Sequence, residues 1–232
     1  MEDITPSLLK KLQEEFSKKV NESDKLIRLK NLVDSGKATH KETNQFAIRI
    51  GEILSNVFKE NLSSSVLPDG KMYFNIADRI INATFKNNHR LVTEFADKVQ
   101  ASLNAEANIG VAIIKPEVNQ NKIDGIVQRL ADEEVYDDVA WILQEPTINF
   151  TQSVVDEFID ENARFHNNLG LKAKVIRIST GDCCEWCESL AGEYEYPNVP
   201  QDVYRRHQRC KCTVEYKPGD GRSQDIWSKS WI

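Results

Sequence analysis

Cys183-Cys184-Glu185-Trp186-Cys187, then nineteen residues, then His207-Gln208-Arg209-Cys210-Lys211-Cys212: this stretch decides what kind of module the chain carries in its C-terminal part. All five cysteines of the 232-residue protein fall within these thirty positions, with one of its four histidines. Such grouping is not that of scattered core hydrophobes. It is that of two ligand clusters, each able to place soft donors around one ion. Structural zinc takes four tetrahedral donors, preferably thiolate sulfur and imidazole nitrogen. Cys184 and Cys187 have the Cys-x-x-Cys spacing that lets two thiolates converge, whereas Cys183 would need a wider turn to join them. His207, Cys210 and Cys212 offer the remaining donors. If residues 210–216 form a strand, Cys210 and Cys212 point to one face. Five candidates compete for four positions. The preferred set is Cys184, Cys187, His207 and Cys210, with Cys212 able to replace His207 or Cys210.

Working outward, the segment between the clusters is loop-rich, with Gly181, Gly192, Pro197 and Pro200 and few aliphatic residues. Structural zinc contributes about 10–16 kcal/mol of apparent binding free energy in small fingers, on the order of a whole domain's stability, roughly 5–15 kcal/mol. A segment of this composition is expected to need such a staple. The alternative is a set of reduced structural cysteines, or disulfides formed after release from the cell. A catalytic zinc would keep one position open and require a base such as Glu185 or Glu188, but a surplus of donors favours a closed site. A cysteine nucleophile paired with His207 is a further option, for which no orienting third residue stands out.

Composition sets the wider limits. The length suits one large domain or two small ones, and 40% hydrophobic residues allow a sizeable core. A net charge of -6 and a pI near 5.4 do not suit a protein that coats nucleic acid non-specifically. No apolar run approaches 18 residues, so no membrane anchor is expected. The stretch Met1 to Pro6 is acidic and lacks a hydrophobic signal segment. A reducing cytoplasm is the expected place of assembly, where metal binding is a better reading of cysteines than disulfides.

Upstream of the cysteines the pattern predicts an α+β protein, mainly helical, with a helical region over 1–105 and a small α/β module over 106–232. Leu8, Leu9, Leu12, Phe16 and Val20 recur at helical spacing behind Thr5 as a cap and Pro6 as the first helical residue. A second series, Leu26 to Val33, ends at Gly36. A third, Phe46 to Phe58, stops near Asn61, and Ser63-Ser64-Ser65 with Pro68-Asp69-Gly70 predicts a break. Phe74 to Val99 continues the helical pattern. Val111-Ala112-Ile113-Ile114 before Pro116 reads as a strand. Ile123 to Leu130 and Val139 to Leu143 follow. Thr151 is placed to cap a helix running through Phe158 and Phe165 to Gly170, and Lys172 to Ser179 alternates as a strand. His40, His89 and His166 read as surface residues on these helices. The acid pairs Glu133-Glu134 and Asp137-Asp138 read as solvated faces or helix N-terminal charges. Arg205, Arg206, Arg209 and Lys211 form a basic cluster that suits pairing with nearby acids better than phosphate contacts. Trp227 and Trp231 read as residues packed against their own domain or as docking anchors. No phosphate loop, nucleophile elbow or His-Glu-x-x-His pattern is present.

The run Cys-Cys-Glu-Trp-Cys-Glu-Ser-Leu-Ala-Gly-Glu-Tyr from Cys183, with Pro200-x-Asp-Val-Tyr-Arg-Arg-His-Gln-Arg-Cys-Lys-Cys-Thr-Val214, resembles the C-terminal module of phage minor capsid proteins. These are head morphogenesis proteins related to the phage Mu F protein, found in tailed phages and prophages of Gram-positive bacteria. The closing Tyr216 to Lys229 and the helical stretch from Phe150 to Gly170 fit the same group. The resemblance covers about the last eighty residues. It implies a virion structural protein without enzymatic activity, assembled in the host cytoplasm and located in the phage head. The implied partners are the portal or major capsid protein and phage DNA, with which some members leave the capsid. The metal candidates carry over onto Cys184, Cys187, His207, Cys210 and Cys212. Where the family usually has proline after the histidine, this chain has Gln208. The same pattern occurs in proteins classed with polymorphic toxins, so a toxin-like or nuclease-type effector is the rival expectation.

Overall fold

The computed structural model describes residues 3–180, 183–207 and 209–217. Gln208, the stretch from Pro218 onward and its Trp227 and Trp231 lie outside the described residues. The described chain is mainly helical, with one small antiparallel sheet near its C-terminal side, the expected α+β class.

The first three helices, α1 (Thr5–Asn21), α2 (Asp24–Asp34) and α3 (His40–Asn61), follow the apolar stripes of the sequence. Thr5 does not cap α1. It lies inside the helix, and its N–H donates instead to Asp3 Oδ1 at 3.0 Å. A capping box starts α3: the Thr39 hydroxyl accepts from the Lys41 N–H, and the Glu42 carboxylate accepts from the Thr39 N–H at 2.9 Å. Gly36 ends α2 with φ +67, the left-handed turn expected of it. After the break at residues 62–73, α4 (Phe74–Glu106) runs uninterrupted, and α5 (Gln120–Asp132) and the short α6 (Tyr136–Val139) follow.

The segment at Val111–Ile114 is not a strand. Its Ile114 N–H and C=O both bond the side-chain amide of Asn162, each at 2.8 Å, so one asparagine replaces a neighbouring strand. Asn162 lies on α7 (Glu145–Asn168), which begins six residues before Thr151, with Pro146 in its first turn. Thr151 is therefore an interior residue. Its hydroxyl donates to the Thr147 carbonyl and accepts from Asn88 of α4.

Helices α3 and α7 form the most extensive helix–helix contact. Gly51 of α3 makes their close approach possible, because a Cβ there would sit 2.8 Å from Ile148 Cα. Three strands complete the fold: β1 (Lys174–Ile178), β2 (Gly192–Glu195) and β3 (Thr213–Lys217), in the order β2-β1-β3. One hydrophobic core runs from Leu8 to Tyr216 and includes residues on both sides of position 106.

His40, His89 and His166 are buried, not on the surface. Two of them belong to a connected chain of hydrogen bonds at β3. His40 Nε2 donates to Gln100 Oε1 at 3.0 Å, the Gln100 amide donates to Tyr216 Oη at 3.3 Å, and Tyr216 Oη is hydrogen-bonded to His166 Nδ1 at 2.7 Å. Polar side chains in helices read as solvent-facing until their partners, here on α3, α4, α7 and β3, are known.

Candidate metal centre

The sheet register assembles the two cysteine clusters. Ile178, the end of β1, stands opposite Thr213, the start of β3. Residues that follow β1 must therefore lie beside residues that precede β3, and these are Cys183–Cys187 and His207–Cys212. A short helix, α8 (Glu185–Ser189), has Cys184 at its N-cap and Cys187 in its first turn, so both sulfurs face the same way. Cys210 and Cys212 precede β3 and are buried with Cys187.

Two groups of three donors result: Cys184, Cys187 and His207, and Cys187, Cys210 and Cys212. Within each, all ligand atoms lie within 4.8 Å of one another, and each could hold a metal ion. Cys187 belongs to both. His207 Nε2 is 3.5 Å from Cys184 Sγ and 2.9 Å from Cys187 Sγ, and Cys187 Sγ is 3.9 Å from Cys210 Sγ. For a tetrahedral ion with ordinary metal–sulfur and metal–nitrogen bonds the edges are about 3.8 Å between sulfurs and about 3.6 Å between sulfur and nitrogen. The Cys184–His207 and Cys187–Cys210 separations match such edges, and the Cys187–His207 separation is shorter. Cys183 packs against the sulfurs but belongs to neither group.

No family model, curated protein or solved structure matches this chain.

The helical body holds the cysteine segment by its backbone. Gln152 of α7 donates to the Cys210 carbonyl at 3.0 Å, and Asn44 of α3 donates to the Cys212 carbonyl at 3.4 Å. Both side chains are buried, so each carbonyl they satisfy would otherwise be left without water. Arg206 also donates to the Cys212 carbonyl and forms a two-point ion pair with Asp156 of α7, at 2.5 and 2.7 Å. Burial works against the Arg206 charge, but Asp156 outweighs it and raises the guanidinium pKa. Arg205 pairs with Asp202 at 2.9 Å, so two of the four residues in the basic cluster are matched with acids as expected.

Electrostatics differ from one sulfur to the next. Burial pushes the Cys187 thiol up to about 12 and also raises Cys212. At Cys210 burial is outweighed by Arg206 and Arg177, and the pKa is lowered. Arg177 is on β1, 1% exposed, with Nη2 3.4 Å from Cys187 Sγ and 3.8 Å from Cys210 Sγ. Glu185 and Glu188, the acids nearest the clusters in sequence, are exposed. Cys187, the sulfur nearest His207, is fully buried, which is unsuited to a nucleophile.

Four residues of this site went unread in the sequence: Asn44, Gln152, Asp156 and Arg177. One of them carried a signal. Val175 and Arg177 are buried on the inward face of β1, in alternation with buried Ala173 just before it, and an arginine at such a position needs a buried counter-charge.

Proposed function

We propose that this chain is a non-catalytic structural protein of a tailed-phage head, whose C-terminal module is fastened to a helical body by one structural zinc ion. The observation that carries the zinc assignment is the convergence of four thiols and one imidazole in two donor groups that share Cys187. Soft sulfur and imidazole donors select zinc over oxygen-preferring cations. Cys184, Cys187, His207 and Cys210 would hold it. Zinc here would supply folding free energy, joining the segment after β1 to the segment before β3 across a loop with little core of its own. Buried sulfurs and a donor count above four support a closed site.

The head assignment rests on the sequence resemblance, which implies portal or capsid proteins and phage DNA as partners. Fractionation of particles from an induced lysogen tests it: the chain is expected in head or procapsid fractions, and its absence from all of them would refute the assignment. One observation favours the effector reading. A cavity of about 480 Å³ lies against the centre, lined by Glu52, Glu145 and His207 among others. A nuclease assay decides between the two. Equal inactivity of wild type and His207→Ala is expected, and cleavage lost in His207→Ala would favour the effector.

A further inference from the structure

Arg177 is among the most deeply buried large side chains of the protein, yet among the described residues it has no carboxylate partner. Its Nη1 donates to the carbonyls of Val203 and Arg205. Its Nη2 faces the sulfurs of Cys187 and Cys210. Its guanidinium carbon lies 5.5 Å from the Trp186 ring centroid. Carbonyls and an aromatic face solvate a guanidinium but do not cancel its charge. An uncompensated buried cation is strongly destabilising. The other cation of the site, Arg206, is already neutralised by Asp156. Among the described residues, the anions within reach of Arg177 are cysteine thiolates.

We infer that Arg177 is the counter-charge of the metal centre and that it fixes the ligand set at three thiolates and one imidazole. A dication held by three thiolates and a neutral imidazole carries one negative charge, which one guanidinium cancels. Four thiolates would leave the buried site net negative, and two would leave it net positive. Arg177 reaches Cys187 and Cys210 directly, and Cys187 is the sulfur shared with the Cys184–Cys187–His207 group, so Cys184 and His207 would supply the other two ligands. Cys212 is left outside the first coordination sphere, beside Cys187 and Cys210. Arg177 is thus a positioning residue. Its Nη2 orients two ligand sulfurs, and its charge makes the site prefer being loaded. The inference rests on the metal reading above and goes further by giving the coordination charge and the residue that sets it.

The test uses the full chain as wild type, Arg177→Met, Arg177→Lys and Cys212→Ser. Zinc affinity is measured by chelator competition, thiolate number by the charge-transfer absorption of the cobalt-substituted protein, and unfolding with and without metal. Outer-shell partners of a metal site are worth about 10–100-fold in affinity, and Arg177→Met is expected to lose that much. Its metal-free form should be at least as stable as that of wild type, because the unpaired buried charge is gone. A purely structural arginine would instead lower stability equally with and without zinc. Arg177→Lys keeps the charge and should retain most of the affinity. Cys212→Ser should keep the wild-type cobalt spectrum, with three thiolates. Unchanged affinity in Arg177→Met, an equal loss in Arg177→Lys, or a fourth thiolate lost in Cys212→Ser would each overturn the inference while leaving the metal site standing. Wild type that binds no zinc would overturn both.

Discussion

Replacing Asp156 by asparagine removes one charge from the interior and almost no volume. The Asp156 and Arg206 side chains are 2% and 3% exposed, and two short hydrogen bonds join them. With the carboxylate gone, the guanidinium stays buried beside the Cys212 carbonyl with no anion, and an amide nitrogen faces one of its donors. Breaking a buried pair from one side costs about 3–5 kcal/mol. For a chain of this size each kcal/mol moves the melting temperature by about 2–4 °C, so the expected loss is about 6–20 °C. The exposed pair Arg90–Glu94, with side chains 56% and 52% exposed, provides the comparison. Its removal should cost about 0.3–0.5 kcal/mol. The assay is thermal unfolding by circular dichroism on metal-loaded protein, with bound metal measured in parallel. Pairing Asp156→Leu with Arg206→Met should recover most of the loss, since an apolar replacement of both partners is often neutral. An Asp156→Asn melting temperature within 2 °C of wild type would contradict the claim that this pair anchors the cysteine segment to α7.

Gly51→Ala would press a Cβ to 2.8 Å from the Ile148 backbone, and the overpacked α3–α7 contact should lose about 1–3 kcal/mol in a urea titration. A neutral result would mean that the two helices separate freely. Gln152→Leu leaves the buried Cys210 carbonyl without its amide donor and should cost about 1–3 kcal/mol, with weaker zinc retention; unchanged zinc affinity would show that the body does not position the site. Burial lowers the pKa of His40, His89 and His166, so each gives up its proton more readily in the folded chain than in the unfolded one, which takes up protons near pH 6.5. Stability should therefore fall as pH drops below about 6.5 toward the folded pKa values, by up to about 1.4 kcal/mol per unit per histidine. Urea midpoints at pH 7.5 and 5.5 check this, with His40→Gln flattening the slope; identical slopes would assign the effect to other groups.

Periodicity made most of the helical body legible. Apolar stripes located α1 to α5, and Gly36 and Gly170 marked two helix ends through the left-handed backbone they adopt. Thr5 and Thr151 have the chemistry of helix caps, but both lie inside their helices, α1 and α7, which start earlier in the chain or at that residue. The Val111–Ile114 run looked like a strand because it is apolar and extended, and nothing local shows that Asn162 takes the place of a neighbouring strand. The three buried histidines were misread for the same reason, since their partners lie 50–60 residues away or on other elements. Donor spacing identified the candidate ligands. The electrostatic frame around them did not come from spacing, because Asp156 and Arg206 meet across fifty residues. Only Arg177, on the inward face of an alternating strand, could have been found by pattern.

The most direct measurement is the zinc content of the purified chain, by elemental analysis and native mass spectrometry, beside a Cys187→Ser variant. Cys187 is common to both donor groups, so neither keeps three donors without it. One zinc per wild-type chain, and little or none in Cys187→Ser, is the expected result. A metal-free wild type that melts at the same temperature with and without chelator would contradict the account.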